Sequence, residues 1–356
     1  MKIVQILTHL AKGDAISNDV LAIDETLKQA EYPTEIMALT VQEDLKPLTA
    51  EFDLNHLKKE DLVLFHKSTG DALTKRIAGL PCKKGLIYHN ITPARFFLPY
   101  DPIMLAVLCT GRKQLKKHLR AFDFTWGDSR YNCDELLKDG MPEERITVLP
   151  ILSDRHSAKP DEEILNRLNR SPGTKLLFVG RISPNKKYED IIKVYWYVLQ
   201  KDPGATLYLV GKWDGLEKYY AKLKGFCADL KLTDERVVFT GPVSEEAKEA
   251  YLQGADALVC MSEHEGFCIP LMEAMEHDLP IVAYAAAAIP ETLGEDHELL
   301  FREKDYEAMA EAILRLRKDE VYRRRIINGQ RKQLEYFDGN KTREKLLSLI
   351  RQALNE

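Results

Sequence analysis

The chain has 356 residues, and none of its apolar runs approaches the 18 residues that a membrane-spanning helix needs. Its opening, MKIVQILTHL, has too short an apolar stretch for a signal-peptide core and reads as a first strand. The six cysteines, Cys82, Cys109, Cys133, Cys227, Cys260 and Cys268, are scattered and form no C-x-x-C. Neither a disulfide framework nor a zinc site is expected, and the thiols read as buried in a reducing compartment. A formal charge of −5 with 30% charged residues leaves no overall pull toward nucleic acid. No repeat or low-complexity tract stands out beyond Ala285–Ala288, which reads as a small-residue packing site. What remains is a soluble cytoplasmic protein, long enough for two domains that each bury a core.

What is present is an alternation of strands and helices. Lys2–Leu7 reads as a buried strand, a loop with Gly13 follows, and Ile16, Val20, Ile23 and Leu27 then recur at helical spacing. Further strands are expected at Glu35–Leu39, Leu62–Phe65, Leu86–Tyr88, Phe122–Thr125 and Ile146–Leu149. From Ser153 to Gly173 the chain turns polar, with Pro160, Pro172 and Gly173, and the domain boundary is placed there. A second series follows at Lys175–Val179, Thr206–Val210, Val237–Thr240, Ala257–Cys260 and Pro280–Ala283. After about Asp305 charged amphipathic helices run to Glu356. The pattern predicts an α/β fold of two doubly wound domains, residues 1–160 and 174–335, with 336–356 as a closing helix.

The stretch Ser262–His277, SEHEGFCIPLMEAMEH, carries the most chemistry. It follows a buried strand; Gly266 permits a tight loop, and Pro270 suits the first residue of a helix. A helix N-terminus facing a loop with Glu265, and Glu273 one turn in, attracts phosphate through its amides. The two carboxylates suit sugar hydroxyls, and solvated helix-end acids are the plainer alternative. Upstream, Arg181 and Lys186 follow a strand directly and should lie at its carboxyl end.

The wording E-G-F-C-I-P-L-x-E-A-M resembles the E-x7-E signature of retaining glycosyltransferases of family 4, with the GT-B fold. Leu177–Lys186, LFVGRISPNK, resembles the same family's strand followed by G-R-x-x-x-x-K. The resemblance implies two Rossmann-like domains facing across a cleft, with a last helix, Lys341–Leu354, crossing back to the first domain. It implies that Arg181 and Lys186 stabilise a pyrophosphate leaving group without a metal or other cofactor. No two aspartates stand two apart, as the metal-using alternative usually requires. Lys187 occupies the place where the family usually has glycine, so either lysine is left to reach the phosphate. By resemblance Glu273 holds ribose hydroxyls and Glu265 the donor sugar, beside the backbone of Gly266, Phe267, Cys268 and Ile269. In the first domain, Tyr88–Pro93, YHNITP, resembles the loop whose histidine, here His89, bonds a donor hydroxyl or the acceptor. Gly13 matches in part a loop with two adjacent glycines near the phosphates.

The expected function is retaining transfer of a sugar from a nucleotide diphosphate sugar to a glycan or lipid-linked acceptor in polysaccharide synthesis. GDP-mannose is the favoured donor because YHNITP and AIPETLG resemble bacterial polysaccharide enzymes, with UDP-sugars open. The basic stretch Arg112–Arg120 reads first as a solvated helix face, with contact to anionic lipid at the inner membrane face as the alternative. A non-catalytic partner subunit and an NAD-dependent oxidoreductase are the competing readings. The latter ranks low because neither opening strand is followed by G-x-G-x-x-G.

Overall fold

The computed structural model describes residues 1–152 and 158–355. Residues 153–157, where the expected domain boundary begins, and Glu356 lie outside the described residues. Two compact units result: Met1–Ala94 with Ile103–Arg155 and Phe337–Glu356, and Arg95–Pro102 with His156–Tyr336.

The first unit is a six-stranded parallel sheet ordered β2-β1-β3-β4-β5-β6. Its strands are β1 (Ile3–Leu10), β2 (Thr34–Val41), β3 (Leu62–Lys67), β4 (Lys83–Tyr88), β5 (Phe124–Gly127) and β6 (Ile146–Val148). Phe122, expected to open β5, instead closes a 3₁₀ turn, and its ring stacks on Phe65. The helices are α1 (Ala15–Gln29), α2 (Thr74–Ala78), α3 (Pro102–His118) and α4 (Arg130–Lys138). Helix α1 starts where the Asp14 carboxylate accepts from the Ser17 N–H at 2.9 Å, an N-cap bond. Its Val20, Ile23 and Leu27 are buried, as their spacing predicts.

The second unit is also six-stranded and parallel, ordered β12-β11-β10-β7-β8-β9. Its strands are β7 (Lys175–Val179), β8 (Thr206–Val210), β9 (Val237–Gly241), β10 (Ala257–Cys260), β11 (Ile281–Tyr284) and β12 (Leu300–Phe301). The helices are α5 (Glu162–Arg170), α6 (Tyr188–Lys201), α7 (Glu217–Asp229), α8 (Glu245–Gly254), α9 (Ile269–Glu276), α10 (Ile289–Leu293), α11 (Tyr306–Lys318) and α12 (Glu320–Tyr336). Helix α5 lies in the polar stretch where the domain boundary is expected. Asp161 caps it, and its one fully buried apolar residue, Leu168, packs where Gly254 of α8 leaves room.

The final helix, α13 (Gly339–Leu354), belongs to the first unit. Its Leu346, Ile350 and Ala353 join Ile3, Ile23, Leu27 and Leu64 in one core cluster. The expected return of a last helix to the first domain is therefore observed. No helix among the described residues is long and apolar enough to cross a membrane.

In the second sheet the strand order reverses between β7 and β10. Chains leaving those two strands turn to opposite sides and open a crevice at the carboxyl edge, where ligands of doubly wound sheets bind. Every site residue proposed for this unit follows one of these two strands. Close approach there depends on glycine: a Cβ on Gly211, whose φ is +149°, would lie 2.0 Å from Gly180 O.

Candidate functional site

The loop after β7 turns at Gly180, with φ at +152°, and its carbonyl accepts from the Tyr188 hydroxyl at 2.6 Å. Pro184–Lys186 forms one 3₁₀ turn, and Lys187 takes a left-handed conformation before α6 begins. This geometry turns the Lys186 side chain back toward Gly180, within 3.4 Å of where a Cβ would stand. Asn185 ties the loop to its partner after β10: its carbonyl accepts from the Glu263 N–H at 2.8 Å, and its amide donates to His264 O at 2.9 Å. The two loops are thereby one structure.

They bring Lys186 and Glu265 together, with Nζ 2.7 Å from Oε1. Burial works against the ammonium, but the Glu265 carboxylate outweighs it and holds Lys186 above its ordinary pKa. Lys187 lies farther off, 3.6 Å from Glu263 and 3.8 Å from Glu189. Among the two candidate lysines, Lys186 is the one aimed into the loop. Arg181 is exposed and donates to Asp214 O at 2.9 Å, in the turn after β8.

Helix α9 begins at Ile269, one residue before the expected Pro270. Its cap, Cys268, has φ +76° and makes no side-chain capping bond to the helix, while Phe267 O accepts from Thr292 Oγ1 at 2.5 Å. A hydrogen bond with Cys260 and burial push the Cys268 thiol up, so it stays neutral. Glu273, one turn in, accepts from Lys248 Nζ of α8 at 2.8 Å. The two glutamates are therefore not solvated helix-end acids. Each is partly buried and paired with a lysine, Glu265 with Lys186 and Glu273 with Lys248, which also pairs with Glu245 at 2.7 Å. The spacing of the glutamates gives no sign of Lys248, because it comes from another helix 25 residues upstream.

In the first unit, Gly13 lies exposed with φ +71° between β1 and α1. His89 follows β4 but is only 9% exposed. Its Nε2 lies 2.8 Å from His66 Nδ1, and its Nδ1 lies 3.0 Å from Asp128 Oδ2. Both nitrogens expected to meet a substrate hydroxyl are thus occupied by protein groups. Asn90, left-handed at φ +72°, donates to Asn132 Oδ1 at 2.7 Å and fixes the loop. Asp19, His66 and His89 offer ligand atoms within 4.8 Å of one another, a spacing a metal could share. The direct bond between the two imidazoles fills that space, so the group reads as a hydrogen-bond network. In α3, Arg112 is not part of a free basic face: it pairs with Glu135 at 2.8 Å and donates to Ile91 O. Leu115 and Leu119 are buried, leaving Lys113, Lys116, Lys117 and Arg120 exposed.

Residues 161–333 match the family described as Glycosyl transferases group 1. Trehalose synthase of Thermococcus litoralis is 29% identical over 189 residues, 49% of this chain and 45% of that protein. The GDP-mannose:cellobiosyl-diphosphopolyprenol alpha-mannosyltransferase of Xanthomonas campestris is 34% identical over 115 residues, 32% of this chain and 30% of that protein. The match therefore spans less than half the length of either relative. Among solved structures, sucrose-phosphate synthase from Thermosynechococcus elongatus superposes with a TM-score of 0.75 at 18% identity, covering 99% of both chains. That likeness shows the fold, which is GT-B.

Proposed function

We propose that this chain, whose residues 161–333 match the Glycosyl transferases group 1 family, transfers a sugar from a nucleotide diphosphate sugar with retention of anomeric configuration. The second unit holds the donor and the first serves a glycan or lipid-linked acceptor. The observation that carries the reading is the pair of lysine-balanced glutamates at the crevice of the second sheet. In this reading Glu273 accepts from the ribose hydroxyls and Glu265 from the donor sugar. Lys186, Arg181 and the start of α9 stabilise the leaving phosphate.

The bond from the anomeric carbon to the phosphate oxygen breaks, and the acceptor oxygen bonds to that carbon on the same face. Its proton passes to the leaving phosphate. Charge grows on the leaving group as the bond breaks, and a preorganised cation stabilises it more than the ground state. No metal enters this account. GDP-mannose is the favoured donor, supported by the substrate for which the Xanthomonas relative is named, with a UDP-sugar as the other candidate. Lys113, Lys116 and Lys117 of α3, with Arg120 in the turn after it, would meet the head groups if the acceptor is lipid-linked, placing the protein at the inner membrane face.

The test is a donor panel with EDTA present, following nucleotide release without acceptor. Release from one donor, lost in Glu273→Ala and in Lys186→Ala, supports the reading and names the sugar. Release that needs a divalent metal overturns the account of the leaving group. Silence across the panel, with no nucleotide binding, points to a non-catalytic partner instead.

A further inference from the structure

The network around His89 has a direction, and the direction fixes its protons. Val20 O is a backbone carbonyl and can only accept, so the Gln5 amide nitrogen, 2.9 Å away, must face it. Gln5 Oε1, an acceptor only, is then left 3.1 Å from His66 Nε2. His66 Nε2 therefore carries a hydrogen. Burial holds His66 far below its ordinary pKa, and its hydrogen-bond partners are Gln5 and His89 rather than a carboxylate, so it is neutral and its Nδ1 is a bare lone pair. That lone pair lies 2.8 Å from His89 Nε2, which must donate. On the other side, His89 Nδ1 and Asp128 Oδ2 stand 3.0 Å apart. With Nε2 already protonated, a neutral imidazole beside an ionised carboxylate would set two lone pairs against each other there. One more proton must lie between them.

We propose that Gln5, His66 and Asp128 are positioning residues that lock His89 in its doubly protonated form at neutral pH. The groups facing this histidine agree. Burial alone would lower His89, but Asp128, with Asp19 and Asp14 on the α1 side, raises it. Burial also raises Asp128, although His89 opposes this; both shifts keep the shared proton in place to higher pH. Among the described residues Asp128 Oδ1 has no hydrogen-bond donor, so its tie to His89 carries the whole pairing. Asp19 is pushed up to about 7 by burial, against the pull of His89. A neutral His66 with its hydrogen on Nδ1 would need Gln5 to turn its amide and set Oε1 against Val20 O. The lock follows from the first unit alone and does not depend on the transferase reading. Its functional consequence does rest on that reading: a substrate atom replacing His66 at Nε2 must be an acceptor, a hydroxyl or phosphate oxygen.

The test is the nitrogen-15 spectrum of the histidine rings in the full chain, with His66 and His89 assigned by single substitutions. The expected result at pH 7.5 is hydrogen on both His89 nitrogens and on Nε2 alone of His66. A singly protonated His89, or a His66 with its hydrogen on Nδ1, overturns the proposal without reference to activity. Gln5→Leu removes the acceptor that orients His66 and should weaken proton binding at His89 roughly tenfold, about one pH unit. Asp128→Asn should abolish the second proton at neutral pH. For the functional half, the alkaline limb of donor turnover should move to lower pH in Gln5→Leu. An unmoved limb with a normal wild-type ring spectrum overturns the role in turnover.

Discussion

Replacing Lys186 with Met separates what its pairing does for the fold from what its charge does for the chemistry. The ammonium lies 2.7 Å from Glu265, and the two side chains are only 15% and 11% exposed. Removing the cation leaves a mostly buried carboxylate without its partner, a loss of about 3–5 kcal/mol for a pair broken from one side. Removing both charges, Lys186→Met with Glu265→Gln, leaves no uncompensated charge, and neutral replacements of a buried pair are often tolerated. The double variant should therefore regain most of the stability, to within about 1–2 kcal/mol of the parent, through strong coupling of the two positions. Turnover should behave in the opposite way. Neither variant has the cation, so both should release nucleotide from the donor about 10²–10³-fold more slowly, the scale for losing one preorganised charge-stabilising donor. Urea denaturation followed through tryptophan fluorescence reads the first quantity, since Trp196 and Trp213 lie in the second unit. Nucleotide release reads the second. A double variant as unstable as the single would show that the pair is not an electrostatic unit. Recovery of turnover in the double would show that Lys186 acts only by shaping the loop.

Asp19→Asn tests burial of a titrating carboxyl. Its folded pKa, about 7, lies above the unfolded value near 3.8, so the contribution of this carboxyl to stability is fully present below about pH 4 and is lost as pH rises through 7. The 3.2-unit gap sets a ceiling of about 4 kcal/mol. The amide keeps an acceptor for the Leu152 N–H and should flatten that slope; denaturation curves at pH 5 and 8 with parallel losses in both proteins would sink the argument. Gly211→Ala places a methyl 2.0 Å from Gly180 O at a left-handed position, and the second unit should lose roughly 1–3 kcal/mol in urea titration, with weakened donor turnover. Glu273→Ala should weaken nucleoside diphosphate binding by about 10–100-fold in calorimetry, the range for hydrogen bonds to a charged group. Changing Lys113, Lys116 and Lys117 together to Gln should abolish salt-sensitive binding to anionic vesicles without changing donor hydrolysis; vesicle binding equal to the parent's removes the membrane role.

Much of the backbone was legible because parallel strands buried on both faces are continuous apolar runs. Lys175–Val179, Thr206–Val210 and Ala257–Cys260 were read to the residue, and in the structure all of their residues are buried. Where burial is partial the sequence is silent. Strand β12 is two half-buried residues, and α5 buries one leucine in a stretch otherwise polar enough to pass for a linker. The limits at the site are of another kind. Glu265 and Glu273 are eight apart and look like a couple, yet each is neutralised from elsewhere, by Lys186 from the loop after β7 and by Lys248 from α8. The same holds in the first unit. Gln5, His66, His89 and Asp128 come from four strands or the loops after them, and nothing in their local wording joins them. Their joining follows from the sheet order, which sets β1 beside β3, β3 beside β4 and β4 beside β5. Local wording marks where a chain can carry charge at a strand end. Only the strand order decides which charges meet, and therefore which of them are held in one protonation state.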